Sequence, residues 1–257
     1  MVFSNSAELS PLLSVITVVY NNVKDLERTI QSVLKQDYTN IEYIVIDGGS
    51  TDGTLAVIEK YRSLISIIVS EPDEGIYDAM NKGIRLATGD YLLFMNSGDE
   101  IYASNTVSNI FSSQAFADIY YGETEMIDTT GKSLGRRRHR VPERFTWKSF
   151  KYGMSISHQA IYIKKSLVEP YNRHYHLSAD IDWILTAAKK ARTIVNTHQY
   201  VAKYLVGGLS KKRHRQSLKE RFHIFTKHYG LIPNLLHHSV IAFNLLWYYL
   251  WHGRTND

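Results

Sequence analysis

The chain contains no cysteine. That excludes a disulfide framework, a thiolate metal site and a cysteine nucleophile, and it agrees with a reducing compartment. The first ten residues lack a basic stretch followed by an apolar run, so no secretory signal is read and a cytoplasmic location is expected. No internal repeat or low-complexity linker interrupts the 257 residues, a length that suits one large α/β domain with an appendage. Residues 234–251 hold no Asp, Glu, Lys or Arg, which sets the end of the chain apart.

What is present is apolar and unevenly basic. Hydrophobic residues make up 44% of the chain, enough for a sizeable core, and 30 Lys and Arg stand against 25 Asp and Glu. The excess gathers in Arg136-Arg137-Arg138-His139-Arg140 and Lys211-Lys212-Arg213-His214-Arg215, while acid concentrates in the first half. Such clusters suit anionic partners: a nucleotide diphosphate, phospholipid or nucleic acid. A nucleic-acid face interleaves aromatics with its bases. Arg136 to Arg140 has none, so no nucleic-acid partner is expected.

The first hundred residues alternate strand and helix patterns. β-Branched runs at Leu13–Tyr20, Ile41–Ile46, Ile65–Val69 and Asp90–Met95 read as strands. Apolar residues at helical spacing follow the first three, with Gly89 closing the helix over 76–87. This order predicts a mostly parallel sheet with helices on both faces. Further strands are expected at 118–121, 123–128, 157–163 and 193–201, with a turn at 129–132 and a helix over 181–190. A helical tail follows residue 210.

Ligands of open α/β sheets bind outside the carboxyl ends of strands. Two such ends here are acidic. The second strand runs into Asp47-Gly48-Gly49-Ser50-Thr51-Asp52-Gly53-Thr54, and the fourth into Asn96-Ser97-Gly98-Asp99-Glu100. The glycines permit close backbone approach, and Asp47 accepts hydrogen bonds. The plainer reading of the first is a tight turn with Ser50 or Thr51 capping a helix.

Four motifs occur in order: Thr17-Val18-Val19-Tyr20-Asn21, Ile46 to Thr54, Asp73-Glu74-Gly75-Ile76-Tyr77-Asp78-Ala79-Met80-Asn81-Lys82-Gly83, and Met95 to Asp99. Over residues 12–210 the chain resembles a family-2 glycosyltransferase, and within that family it is similar to bacterial colanic-acid and O-antigen type transferases. The resemblance implies one Rossmann-like nucleotide-diphospho-sugar transferase domain of GT-A type over 1–210, with a nucleotide half to about 100 and an acceptor half after it. A helical tail over 211–257 completes the expected layout. The implied activity is inverting transfer from a nucleotide-diphosphate sugar to a glycan acceptor, lipid-linked through a polyprenyl diphosphate, in surface polysaccharide synthesis. A catalytically degenerate nucleotide-sugar binder and a nucleotidyltransferase are the alternatives. The latter would carry a Gly-rich basic loop that Tyr20-Asn21-Asn22-Val23 lacks.

The resemblance also implies roles. Asp47 contacts the base, with Thr17, Tyr20, Asn21, Gly49 and Ser50 around it. Asp78, Asn81, Lys82, Ser97 and Gly98 face the donor. Asp99 holds Mn²⁺ or Mg²⁺, which would bridge to the diphosphate. Asn96 and Gly98 replace acids of the usual Asp-x-Asp element, and Glu100 is left open between assisting and starting the next turn. Many relatives have Arg where Met80 stands. Asp180 is the implied base, with Asp182 its rival; residues two apart do not share a helical face. His158-Gln159 falls on the acceptor side. His174 and His176 lack the neighbours for a zinc site. Gly207-Gly208-Leu209-Ser210 is placed as a loop closing over the diphosphate, with Arg213, His214 or Arg215 steadying the departing charge.

The uncharged stretch 234–251 is rich in Trp, Tyr and Leu, with His and Asn pairs that disfavour full insertion. A helix lying on the cytoplasmic face of the inner membrane is expected. Packing on the domain or in a homodimer is the other reading.

Overall fold

A computed structural model describes residues 10–112, 117–137, 139–207 and 213–252. The strands are β1 (Leu13–Val19), β2 (Ile41–Asp47), β3 (Ile67–Ser70), β4 (Tyr91–Phe94), β5 (Glu100–Ile101), β6 (Ile119–Ile127), β7 (Ser133–Arg136), β8 (Ile161–Lys164) and β9 (Ile194–Leu205). They form one sheet in the order β3-β2-β1-β4-β8-β6-β9-β5, with β7 paired to β6. The strands β1 to β4 are mutually parallel, and β6 and β9 run the same way. The short strands β5, β7 and β8 run against them.

Helices cover both faces, as a mostly parallel sheet demands. Side chains alternate across β1. Val15 and Val19 pack with Leu26, Ile30 and Val33 of α1 (Val23–Leu34), Ile58 of α2 (Thr54–Lys60) and Ile110 of α4 (Thr106–Phe111). Ile16 and Val18 pack with Met80 and Ile84 of α3 (Ile76–Leu86), Ile184 of α5 (Ala179–Lys190), and Ile224 and Phe225 of α6 (His214–Tyr229). The tail therefore begins inside the core. Gly230, at φ +90°, breaks α6 from α7 (Leu231–His252).

Four of the differences from the sequence pattern have a local physical reason. The stretches expected at 118–121 and 123–128 form one strand, β6, because Gly122 sits where its absent side chain lets β9 pass: a Cβ there would lie 2.6 Å from the Gln199 carbonyl. Strand β8 starts at Ile161; His158–Ala160 is a 3₁₀ turn closed by Ala160 N–H on the Ser157 carbonyl at 3.0 Å. Gly53, not Ser50 or Thr51, precedes α2, and Asp52 accepts from the Thr54 N–H at 3.1 Å. Helix α3 ends before Ala87, so Gly89 is no cap; it permits close backbone contact with Leu12 and Ser14.

Arg138, Lys211, Lys212 and the Gly208–Ser210 part of the expected closing loop lie outside the described residues, as does the His214 side chain.

Candidate active site

The carboxyl ends of β1, β2 and β3 are tied together through side chains. Asp47 is fully buried, and its Oδ2 accepts from the Gly49 N–H (3.2 Å), the Ser50 N–H (3.0 Å) and the Ser70 hydroxyl (2.7 Å). Its Oδ1 is buried without a hydrogen-bond partner among the described residues. Asn21 takes φ +47°, a left-handed value Asn tolerates better than most residues. From there its Oδ1 accepts from the Thr51 N–H and its N–H donates to the Ser50 hydroxyl, both at 2.8 Å. Tyr20 is 63% exposed beside them. Thr17 is buried beneath, against the Tyr43 hydroxyl at 3.1 Å.

Beyond β4 a cavity of about 470 Å³ opens. Ser97, Asp99, His158, Gln159 and Asp180 all line it, although they come from three separate stretches of sequence. Gly98 makes the approach possible. It takes φ +102°, and a Cβ would meet Leu205 of β9 at 2.6 Å. Asp99 then accepts from the Leu205 N–H at 2.9 Å and from the Gln159 amide at 2.5 Å. Burial drives its carboxyl up to about 6 despite both bonds, because removing a carboxylate from water disfavours its charge.

Asp180 sits in the first turn of α5. Its Oδ2 lies 3.5 Å from His158 Nδ1, and its Oδ1 3.5 Å from the Tyr77 hydroxyl. The other ring nitrogen of His158 lies 3.0 Å from the Asn96 amide nitrogen. An amide donor there leaves Nε2 as acceptor, which puts the imidazole proton on the Asp180 side. Burial, reinforced by the Asp180 charge, holds the Tyr77 hydroxyl well above its ordinary pKa, so it stays a donor.

The remaining expected residues are placed elsewhere. Asp182 faces α6, where His228 Nε2 lies 2.6 Å and Lys227 Nζ 2.9 Å from its carboxylate. Both ends of the Asn81 amide are taken by the Tyr171 backbone, at 3.0 and 2.7 Å, so it anchors a loop. Asp78 pairs with Arg173 at 3.3 Å, and Lys82 bonds Glu71 and the Pro72 carbonyl at 2.9 Å. Met80 is in the hydrophobic core, where a charge would be unsolvated. Glu100 pairs with Arg28 and Lys203.

Among the cavity residues with no role assigned in the sequence are Tyr77, Arg137 and Arg221. Tyr77 lies inside a quoted motif and Arg137 inside a basic cluster. Arg221 had no local signal, since only the docking of α6 brings it to the cavity.

Among the described residues no three His, Asp or Glu side chains gather to hold a metal ion. Asp99 and Asn96 do offer two oxygens on one loop, and Asn96 Oδ1 is buried without a partner. Oxygen donors of this kind are what Mg²⁺ or Mn²⁺ takes.

The sequence pattern described as Glycosyl transferase family 2 matches residues 14–169. The chain belongs to that family. This transferase is 30% identical over 212 residues to a PGL/p-HBAD biosynthesis glycosyltransferase of Mycobacterium tuberculosis, covering 78% of this chain and 80% of the relative. Its fold is similar to that of S. aureus TarS 1–349 in complex with UDP-GlcNAc, with TM-score 0.63 and 19% identity over 95% of this chain and 74% of that one. It is also similar to the mannosyltransferase PcManGT from Pyrobaculum calidifontis in complex with GDP-Man and Mn²⁺, with TM-score 0.59 and 15% identity over 96% of this chain and 77% of that one. The nucleotide-sugar fold expected from the four motifs is thus the fold of the transferase, with a helical C-terminal region appended.

Proposed function

We propose that the transferase moves a sugar from a nucleotide-diphosphate donor to a hydroxyl of a glycan acceptor with inversion, using Asp180 as general base. The observation that carries this is the setting of Asp180: on the cavity wall, held by His158 and Tyr77, in the same cavity as Ser97 and Asp99. The acceptor hydroxyl gives its proton to the Asp180 carboxylate as its oxygen bonds to the anomeric carbon. The bond from that carbon to the diphosphate breaks, and its electron pair leaves on the phosphate oxygen. Attack opposite the leaving group inverts the configuration. Asp47 Oδ1, buried without a partner, is an acceptor for a base N–H. Asp99 and Asn96 would hold a divalent ion, which supplies positive charge to the departing diphosphate when bound.

A panel of UDP-, GDP- and TDP-sugars tested by thermal melting, each with and without Mn²⁺, checks the donor half of this reading. A ligand that binds only the folded chain stabilises it, by about 2.7 kcal/mol at a hundred times its dissociation constant. One nucleotide class should raise the melting temperature, and more so with Mn²⁺. Indifference to every donor would remove the nucleotide-sugar reading.

The tail supports a lipid-linked acceptor, such as a polyprenyl diphosphate sugar of a surface polysaccharide. Ile232, Leu236, Val240 and Phe243 recur at helical spacing along α7 and are exposed. No helix among the described residues is long and apolar enough to cross a membrane. An exposed apolar stripe on an uncharged, Trp- and Tyr-containing helix suits the surface of the inner leaflet. Exchanging Ile232 and Phe243 for Asp in the full chain should abolish sedimentation with anionic lipid vesicles and leave the melting temperature nearly unchanged, since both side chains are solvated. Equal sedimentation would sink the membrane assignment. A change from dimer to monomer instead would give the stripe to a second copy.

A further inference from the structure

Two arginines line the cavity that Asp180 also lines, and the reaction written above gives neither a task. Arg137 follows β7. Its Nη1 donates to the Ser157 hydroxyl at 3.0 Å and its Nη2 to the Met154 carbonyl at 3.3 Å. Both acceptors are neutral. Arg221 projects from the middle of α6, and its Nε is buried without a hydrogen-bond partner among the described residues. No ion pair of Arg221 with an acidic side chain occurs among the described residues. The two guanidinium groups are close enough for the Arg221 charge to act on Arg137.

Like charges brought together in a partly desolvated cavity repel, and each loses hydration. The acid whose charge acts on Arg137 is Asp180, and its oxygens already face His158 and Tyr77. One carboxylate does not neutralise two guanidinium groups. The arrangement is nevertheless fixed on both sides. Ser157 and Met154 hold Arg137, while Glu220, next to Arg221, accepts from the His176 and Leu177 N–H groups at 3.1 and 2.8 Å. Those bonds set α6 against the segment that leads into Asp180. A cavity that places two cations within reach of each other's charge, one held by neutral acceptors and the other with a buried bare N–H, is suited to an anion.

We propose that Arg137 and Arg221 form a two-guanidinium site for a phosphate group on the cavity wall beside Asp180. Planar N–H forks match phosphate oxygens, and two forks suit a diphosphate better than a single carboxylate. In this transferase two molecules bring such a group: the nucleotide donor and a lipid diphosphate acceptor. That choice of sources rests on the proposed function; the anion site itself does not. The site also makes α6 part of the active site, since Arg221 reaches the cavity only when that helix is docked.

Calorimetric titration of the full chain with inorganic pyrophosphate, UDP, GDP and farnesyl diphosphate tests this, with uridine, guanosine and farnesol as phosphate-free controls. Pyrophosphate should bind the wild-type chain. Arg137→Gln and Arg221→Gln should each weaken it about tenfold or more, the ordinary worth of one charge-assisted hydrogen bond. Loss of UDP or GDP affinity with nucleoside binding unchanged assigns the site to the donor. Loss confined to farnesyl diphosphate assigns it to the acceptor. If Arg221→Gln does not fold, Arg137→Gln and Arg221→Lys carry the comparison, because Lys keeps the charge and loses the fork. Wild-type affinity for every probe in the folded variants, or no binding of any probe by the wild type, overturns the proposal. Failure of the transfer reading looks different: pyrophosphate still binds in an arginine-dependent way, and no nucleotide sugar is turned over.

Discussion

Exchange of Asp180 for Asn is expected to lower sugar transfer by about a hundredfold to ten-thousandfold, the usual contribution of a positioned base. The substitution preserves shape. An amide in place of the carboxylate still faces His158 Nδ1 and the Tyr77 hydroxyl, each 3.5 Å away in the native chain. What it loses is the capacity to take a proton. Nucleotide affinity should change little, because Asp47 and its buried Oδ1 lie in the separate set of loops that end β1, β2 and β3. Rate of product formation and affinity for the nucleoside diphosphate, measured on the same preparation, separate the two effects. A variant that binds donor normally and transfers at the native rate would move the base elsewhere, with His158 the next group within reach.

Exchange of Asp182 for Ala, two residues on, is expected to act on stability. Asp182 is 5% exposed and bonded to His228, itself buried, and to Lys227. Breaking a buried ion pair by removing one partner costs about 3–5 kcal/mol; the exposure of Lys227 argues for the lower end, about 3 kcal/mol. The effect should depend on pH in one direction. Burial alone would raise the Asp182 carboxyl, but the bonds from His228 and Lys227 outweigh it and hold the group below its ordinary value. A carboxyl with a depressed folded pKa stabilises the chain above its unfolded value, about 3.9, and that stabilisation disappears as pH falls through the folded one. The melting-temperature gap between wild type and Asp182→Ala should therefore be full at neutral pH and close below about pH 4. A gap that persists in acid would mean that packing, not charge, is what Asp182 provides.

These two carboxylates show where sequence reading ends. Spacing alone established that at most one of them faces the cleft, since residues two apart on a helix diverge. Which one faces it depended on α6, whose partners for Asp182 come from a stretch of chain with no motif. The strand ends were legible because each element announces itself locally: β-branched runs, glycine at the turns, acid at the carboxyl end. Asn81 was not, because an amide that faces a nucleotide and one that clasps the Tyr171 backbone have the same sequence neighbours. Met80 was read against an Arg of relatives, yet its side chain is a core residue here, and no pattern within α3 distinguishes the two cases. Arg221 was out of reach for the same reason as the Asp182 pairing: tertiary docking creates its role.

The break at Gly230 separates two helices with no intervening linker, α6 ending at Tyr229 and α7 beginning at Leu231. Helix α6 is clamped to the body of the enzyme through Asp182 and Glu220. With no slack between them, α7 behaves as a ruler and not as a tether. Its 22 residues extend about 33 Å at the ordinary helical rise. If α7 lies on a membrane as proposed, that surface would be held at a set height from the cavity mouth. Acceptors would then be sorted by how far their reactive hydroxyl stands from that surface, as well as by the shape of the sugar that carries it.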